Sequence, residues 1–510
     1  MKNLKYWLAV ALLSPASYGF AQYQVDALRF SQTQPTGTAR SLGVGGANVA
    51  VGADLGNLVT NPAGLGLFQR SEVSFTPGYG AANTSSQAFG TSTTDNRNSL
   101  HIANFGAAFT SRRADGDPSP WRGGTLAIGL NRLNDFNQSF RYRGSVAGGP
   151  SGRGSNILNY FDRQITAAQS TDFDDLAYEA FLTEEDVDGI YVPGESFAQA
   201  LDGSLNQEEQ VLTTGSQTQF DIGYGANYRD KLYIGGAIGL VSTRFSSISV
   251  LDATDPSPAS LEEGTAFGSI SYRQNLDTRG TGINARIGAI YRVNDAVRLG
   301  ASIQTPTFST LTETYTSSLN VVYDQPIVVE GQTYTSGNAS LDPGPFDYVL
   351  TSPFRASGGA AVVVGKHGFL SGDVEYVNYS QARLSNDNTN DPGGANARNF
   401  GSDNDAINDL YGSAVNLRLG GELRYDIFRF RAGFARYGDA YQNSSRDRTR
   451  NYFTGGLGLR QKSFYLDLAG VYATTKQYYS PYVMPNPADT PEVAIDVNRF
   501  TTTITAGFLF

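Results

Sequence analysis

From about Glu72 onward apolar residues recur at every second position, the period of a β-strand whose two faces meet different surroundings. Leu232, Ile234, Ile238 and Leu240 share one side, and Tyr233, Gly235, Ala237 and Gly239 the other. Val415, Leu417, Leu419, Leu423 and Tyr425 oppose Asn416, Arg418, Glu422 and Arg424, and Phe428, Phe430, Ala432 and Phe434 oppose Arg429, Arg431 and Gly433. The alternation runs to the final residue, with Phe500, Ile504, Ala506, Phe508 and Phe510 set against Thr501, Thr503, Thr505 and Gly507. A soluble sheet with one wet face shows the same period, so connection lengths must separate the two.

About fourteen strands follow from this pattern, over roughly 71–81, 100–111, 122–142, 216–229, 231–250, 279–293, 296–320, 345–365, 368–385, 412–426, 427–439, 450–461, 462–477 and 497–510. Tight turns, such as those at 229–231, 293–295, 365–368, 425–427 and 461–462, alternate with long polar connections near 82–99, 143–215, 251–278, 321–344, 386–411, 440–449 and 478–496. Short turns at one end and large loops at the other predict an all-β chain: a transmembrane 14-stranded antiparallel β-barrel. The stretch 262–278 reads either as an additional strand or as a structured loop.

Three segments break the alternation. Met1 to Ala21 has Lys2 and Lys5, a short apolar run and a small-x-small site at Gly19-Phe20-Ala21, which predicts a signal peptide over 1–21 and export. Residues 22–70 are rich in Gly, Ala and Val rather than polar, and predict an N-terminal hatch filling the lumen of a barrel over 71–510. The acidic stretch Leu176 to Gln210 reads as one or two short helices, with Phe173, Leu176, Ala177, Ala180 and Phe181 at helical spacing, followed by Tyr191, Phe197 and Leu201. It either covers its own apolar side or leaves a groove for an apolar ligand.

Composition narrows the function. No run of roughly 18 apolar residues follows the N-terminus, so helical spans are excluded. The 510 residues include 58 Gly, 29 Tyr and 29 Phe but no Cys, which suits an aromatic-girdled wall and leaves no disulfide framework. A net charge of −10 argues against nucleic acid as a partner.

Catalytic and metal chemistry find no support. Gly43-x-Gly45-Gly46 lacks the third glycine and the lysine of a phosphate loop, with Asn48 where a glycine is needed. His101 and His367 have no partner at ligand spacing, so no metal or cofactor is implied. The pairs Asp373/Glu375 and Glu422/Arg424, with Arg286, Arg418 and Arg431, read as lumen-lining charges rather than acid–base machinery, and the chain does not read as an enzyme.

The run ARSLGVGGANVAVGADLGNLVTNPAGLGLF, entering the first strand as SEVSFTPGYG, resembles the hatch-to-barrel passage of the FadL/TodX family of outer-membrane transporters. INARIGAIYRVNDAVRLGASIQTP and LTSPFRASGGAAVVVGKHGFLSGDVEYVNYSQ are similar to later strand-turn-strand units of that family. Asn61, Pro62, Ala63 and Gly64 carry the most specific part of the likeness. The resemblance implies localisation in the outer membrane as a monomer contacting membrane lipid, and passive uptake of long-chain fatty acids or hydrocarbons through a lumen pocket, hatch movement and lateral exit. The family's exit lies beside a kink in the third strand; here GLNRLNDF interrupts the alternation, which places the implied opening at Asn131, Arg132, Asn134 and Asp135. Arg286, Arg418 and Arg431 are the inward cations for a ligand carboxylate, with pairing to Glu422 and Asp467 as the alternative. A structural or adhesive barrel and a general porin are the competing functions.

Overall fold

The computed structural model describes residues 18–114, 116–149, 154–163, 165–194, 203–256, 266–386, 399–442 and 445–510. The expected signal peptide lies outside them up to Ser17, as do Phe197 and Leu201.

Nineteen paired segments form one sheet, and they resolve into fourteen spanning strands. These are β1 (Glu72–Ala88), β2 (Thr91–Arg112), β3 (Trp121–Asp135 and Gln138–Ala147), β4 (Ser204–Tyr228) and β5 (Leu232–Thr254). They continue as β6 (Phe267–Arg292), β7 (Val297–Gln304 and Phe308–Val329), β8 (Pro345–Thr351 and Arg355–Val364) and β9 (Gly368–Asn378 and Arg383–Asn386). The last five are β10 (Ser413–Tyr425), β11 (Phe428–Tyr437), β12 (Arg450–Arg460), β13 (Phe464–Tyr479) and β14 (Val493–Leu509). The remaining segment, Gln332–Leu341, is a hairpin arm in the connection after β7.

The wall closes because β1 pairs antiparallel with β14, from Glu72 opposite Leu509 to Gln87 opposite Ala494. Closure leaves no free edge, the condition for strands to cross a hydrocarbon layer. Alternation then sorts the side chains: Phe75, Ile238, Leu240, Leu417, Phe430 and Ile504 are exposed on the outside. Their neighbours Thr76, Ala237, Gln219, Arg418, Arg431 and Thr503 are buried inside. No helix among the described residues is long and apolar enough to cross a membrane.

Several connections differ from the sequence expectation; residues 321–344, expected as a polar loop, carry the end of β7 and the Gln332–Leu341 arm paired back onto it. The polar stretch 82–99 is not a loop: β1 and β2 run on to Ala88 and from Thr91, joined by Phe89 and Gly90, both at positive φ as a two-residue hairpin turn requires. Residues 267–278 are no extra strand but the upper part of β6, paired to β5 and β7. Ser204 to Gln210, expected within a helical loop, is the start of β4. In these segments many of the buried side chains are polar, as at Thr84, Ser86, Gln207, Glu209 and Thr278, so the backbone ladder persists while the hydrophobic period disappears. The connection between β3 and β4 holds described helices at Ile157–Phe161 and Asp172–Glu179; the second is capped by Thr171, and Phe173, Leu176, Ala177 and Ala180 are buried against Phe267, Ile270 and Leu319. That helix covers its own apolar side.

Inside the cylinder lies the leader. A helix, α1 (Tyr18–Ser31), is followed by short helical turns at Ala39–Gly43, Asn57–Thr60 and Pro62–Leu67. Ala39, Val44, Val49, Leu55, Leu58, Ala63 and Leu65 are fully buried. Its backbone groups bond to inward side chains around the wall: Ala39 N–H donates to Thr505 Oγ1 (2.8 Å) and Val49 N–H to Asp373 Oδ2 (2.9 Å). Arg286 Nη1 donates to the Leu58 carbonyl (2.6 Å), and Arg298 Nη1 to that of Val51 (3.0 Å). A chain too irregular to satisfy its own backbone is thus satisfied by the barrel.

Candidate functional site

The Asn61-Pro62-Ala63-Gly64 turn sits against the inner wall near the short-turn end. Asn61 caps the turn by accepting from Ala63 N–H (3.1 Å), and its amide donates to the carbonyls of Val49 (2.7 Å) and Ala289 (3.2 Å). Pro62 fits the first helical position, where no N–H is needed. The seat is glycine: a Cβ added to Gly225 of β4 would stand 2.5 Å from Gly66 N, 2.7 Å from Leu65 Cβ and 2.8 Å from Pro62 O. Gly235 of β5 faces Gly225 in the ladder and meets the Pro62 carbonyl just as closely. The turn therefore rests on bare backbone.

The structure brings two of the three inward arginines together. Arg286 and Arg418 line one lumen cavity of about 60 Å³ between leader and wall, with Gln34, Thr60, Arg355 and Glu375. Both are already engaged: Arg286 with Leu58 O and Gln304, Arg418 with Glu375 Oε2 (2.9 Å) and the Tyr437 hydroxyl (3.1 Å). Arg431 lies elsewhere, toward the short-turn end, bonded to Glu422 Oε2 and Asp467 Oδ1 (both 2.7 Å), the mutual pairing given as the alternative.

Asn131, Arg132, Asn134 and Asp135 occupy a break in the wall. Pairing between β2 and β3 begins at Arg112 opposite Gly123 and stops at Asn104 opposite Asn131, although β2 continues upward to Thr91. On its other side β3 stays paired with β4 through a register shift at Arg132/Asn134. Beyond the break, β3 leans over the first two strands, where Thr84 Oγ1 donates to Ser139 O (2.8 Å) and Ser139 Oγ to Asp95 Oδ2 (2.6 Å). Asp135 is held by Arg499 (3.1 Å) and Arg132 (3.3 Å).

The leader backs this break from within. Gln34 N–H donates to Leu133 O (3.1 Å), Gln34 Nε2 to Asn134 Oδ1 (2.7 Å), and Thr36 Oγ1 to Arg132 O (2.5 Å). A second cavity of about 60 Å³ lies here, lined by Gln34, Pro35, His101, Arg132, Asp135 and Arg499.

Above it, α1 fills an apolar cup that sequence reasoning missed. Phe30 packs edge-on to Phe136 (5.9 Å) and Phe245 (6.0 Å), and Tyr23 to Tyr348 (5.2 Å) and Phe400 (5.6 Å). Leu276, Leu311, Leu350 and Val377 complete the cup around Ala27. The spacing of Tyr23, Ala27 and Phe30 was the available signal, one face of a helix. Asp26, on α1 and outside the spanning strands, bonds Arg29; burial pushes its carboxyl up, against the pull of Arg29. Among the described residues no cluster of three or more acids or histidines is placed to hold a metal.

No family model matches the chain, and no curated protein matches it. Solved structures do. A FadL homologue of Pseudomonas aeruginosa superposes with a TM-score of 0.51 at 13% identity, covering 93% of this chain and 98% of that one. The Ralstonia pickettii toluene transporter TbuX gives 0.50 at 18% identity, and the P. putida toluene transporter TodX 0.51 at 12%, each covering 93% of this chain and 99% of the other. The closed wall and these likenesses together show a β-barrel with the fold of the FadL/TodX structures.

Proposed function

We propose that this chain is a passive entry route for hydrophobic small molecules, long-chain fatty acids or hydrocarbons, and that residues 22–70 act as its hatch. The carrying observation is that the aromatic cup holding Phe30 and Tyr23 adjoins the break at Arg132–Asp135, and that Gln34 and Thr36 of the same leader are bonded to that break. An apolar ligand entering from the loop end takes the place of the α1 side chains in the cup. Displacing α1 draws Gln34 and Thr36 off β3, and the side of the barrel opens where the ladder is already unpaired. The two cavities of about 60 Å³ each have the volume of about two waters, so the leader must move before a long chain can pass.

The energetics require such a device. A methylene buried from water contributes about 0.8 kcal/mol, so a rigid pocket for a long acyl chain would retain it. A cup that exchanges ligand for its own Phe30 and Tyr23 lowers the net affinity and returns to the closed state after release.

The named neighbours include toluene transporters, which supports a hydrophobic ligand class. The test is uptake of radiolabelled oleate and toluene by a Gram-negative host lacking its own transporters for them, with and without this gene. Gene-dependent uptake of either, without gene-dependent permeability to small sugars, is the expected result. Sugar permeation without oleate or toluene uptake would identify a general porin instead.

A further inference from the structure

The short-turn mouth carries a third cavity, about 420 Å³, whose lining is rich in cations. Arg40 of the leader, Arg70 before β1, Arg424 of β10, Arg429 and Arg431 of β11, Arg460 of β12 and Lys462 converge there, against Glu72, Glu422 and Asp467. Three of the cations have carboxylate partners: Arg431 bonds Glu422 and Asp467, Arg424 bonds Glu422 (2.7 Å), and Arg40 approaches Glu422 (3.7 Å) and Asp54 (4.0 Å). Arg70, Arg429, Arg460 and Lys462 make no ion pair within 4 Å among the described residues, although Arg460 attracts Glu72 and Arg429 attracts Glu422 at longer range. Arg70 and Arg429 donate to backbone carbonyls, and Arg460 lies 5.3 Å from the Tyr465 ring.

The arrangement is costly in isolation. Arg424 and Arg429 stand directly opposite each other across the β10–β11 ladder, where like charges destabilise a sheet. Glu422 is shared among Arg40, Arg424 and Arg431, so the cations of the mouth outnumber its carboxylates. The same cavity is lined also by Leu67, Phe68 and Leu509. A concave space lined by surplus guanidinium donors and by aliphatic and aromatic carbons matches a molecule with a charged oxyanion head and an apolar tail.

We infer that this vestibule binds an anionic amphiphile, its carboxylate between Arg429, Arg460 and Lys462 and its tail against Leu67, Phe68 and Leu509. A guanidinium pairs with a carboxylate by charge-assisted bonds that a neutral head cannot replace, so the site selects an acid over the corresponding alcohol. Because Arg40 and Ala53 belong to the leader, the occupied vestibule touches the leader from below. The site goes beyond the entry route proposed above and is open to solvent whether or not that route operates.

Purified full-length protein in detergent is irradiated with diazirine-tagged decanoic acid or diazirine-tagged decanol, and labelled peptides are mapped. The acid is expected to label 67–72 and 460–467 at least tenfold more than the alcohol does. Arg429→Gln/Arg460→Gln/Lys462→Gln should reduce that labelling at least tenfold, and Arg429→Lys/Arg460→Lys/Lys462→Arg should restore it. Equal labelling by acid and alcohol, or labelling unchanged in the glutamine variant, overturns the inference. Inorganic phosphate that suppresses the label as well as untagged decanoate at equal concentration overturns the assignment to an amphiphile. Heat-modifiable gel migration checks the fold of each variant; the acid-to-alcohol ratio on the unaltered chain decides the matter by itself. Uptake is measured separately, so loss of transport and loss of vestibule binding are distinguishable.

Discussion

Gly225→Ala probes how the leader is seated. The added methyl would lie 2.5 Å from Gly66 N, 2.7 Å from Leu65 Cβ and 2.8 Å from Pro62 O, against 3.4 Å for ordinary contact. All three atoms belong to one 3₁₀ turn, Pro62–Leu67, and none is the free end of a flexible side chain, so the turn itself must retreat. Overpacking of this kind costs about 1–3 kcal/mol. Gly225 lies in a strand paired on both sides, so the wall is the stiffer partner and the cost falls on leader docking. A loss of about 2 kcal/mol raises the undocked fraction roughly thirtyfold. Hydrogen exchange at the Ala63, Gly64 and Phe68 amides, each bonded within the turn, should accelerate by that factor, while β4 and β5 amides keep their protection. Gly236→Ala is the control, since its nearest neighbour would be 3.6 Å away. Equal exchange in Gly225→Ala and the unaltered chain would refute the argument that bare backbone holds the turn.

Other outcomes follow from the same contacts. Phe30→Ala removes the ring between Phe136 and Phe245 and should weaken α1 docking by about 3 kcal/mol, read as faster proteolysis at residues 23–36 in intact outer membranes. Arg431→Met leaves Asp467 and Glu422 short of a buried partner and should lower the heat-modifiability midpoint, consistent with a cost of about 3 kcal/mol. For Asp26 the docked carboxyl titrates above its free value of 3.8, so protonation favours docking. Docking is then strongest in acid and weakens as pH rises from that value through the docked one; α1 amide exchange should show this dependence, and Asp26→Asn should abolish it. Thr36→Val removes a bond to Arg132 O and should raise oleate uptake without altering barrel melting.

The spanning part of the fold was legible because lipid outside and polar lumen inside impose a period of two on residues such as Ile238 and Ala237. Where the buried side chains are themselves polar, as at Thr84, Ser86 and Thr93, the hydrophobic period vanishes, so the hairpin through Phe89 and Gly90 reads as a loop in the sequence. The leader's Gly-rich middle was legible as a compact segment, but α1 was not, because the helix begins among residues read as an export signal. Its seat on Gly225 and Gly235 was invisible for another reason: close approach of backbones from distant parts of the chain leaves no local pattern. The vestibule is similar, since Arg70, Arg429, Arg460 and Lys462 meet only after the barrel closes.

The central claim is that transport requires the leader to leave the wall. Ala39 N–H lies 2.8 Å from Thr505 Oγ1, and the chain has no cysteine of its own, so Ala39→Cys/Thr505→Cys can tie leader to wall by a single disulfide. Oleate uptake by cells carrying this variant should stop on oxidation and return with reductant, while either single variant is indifferent to both treatments. Undiminished uptake with the disulfide fully formed would contradict the account.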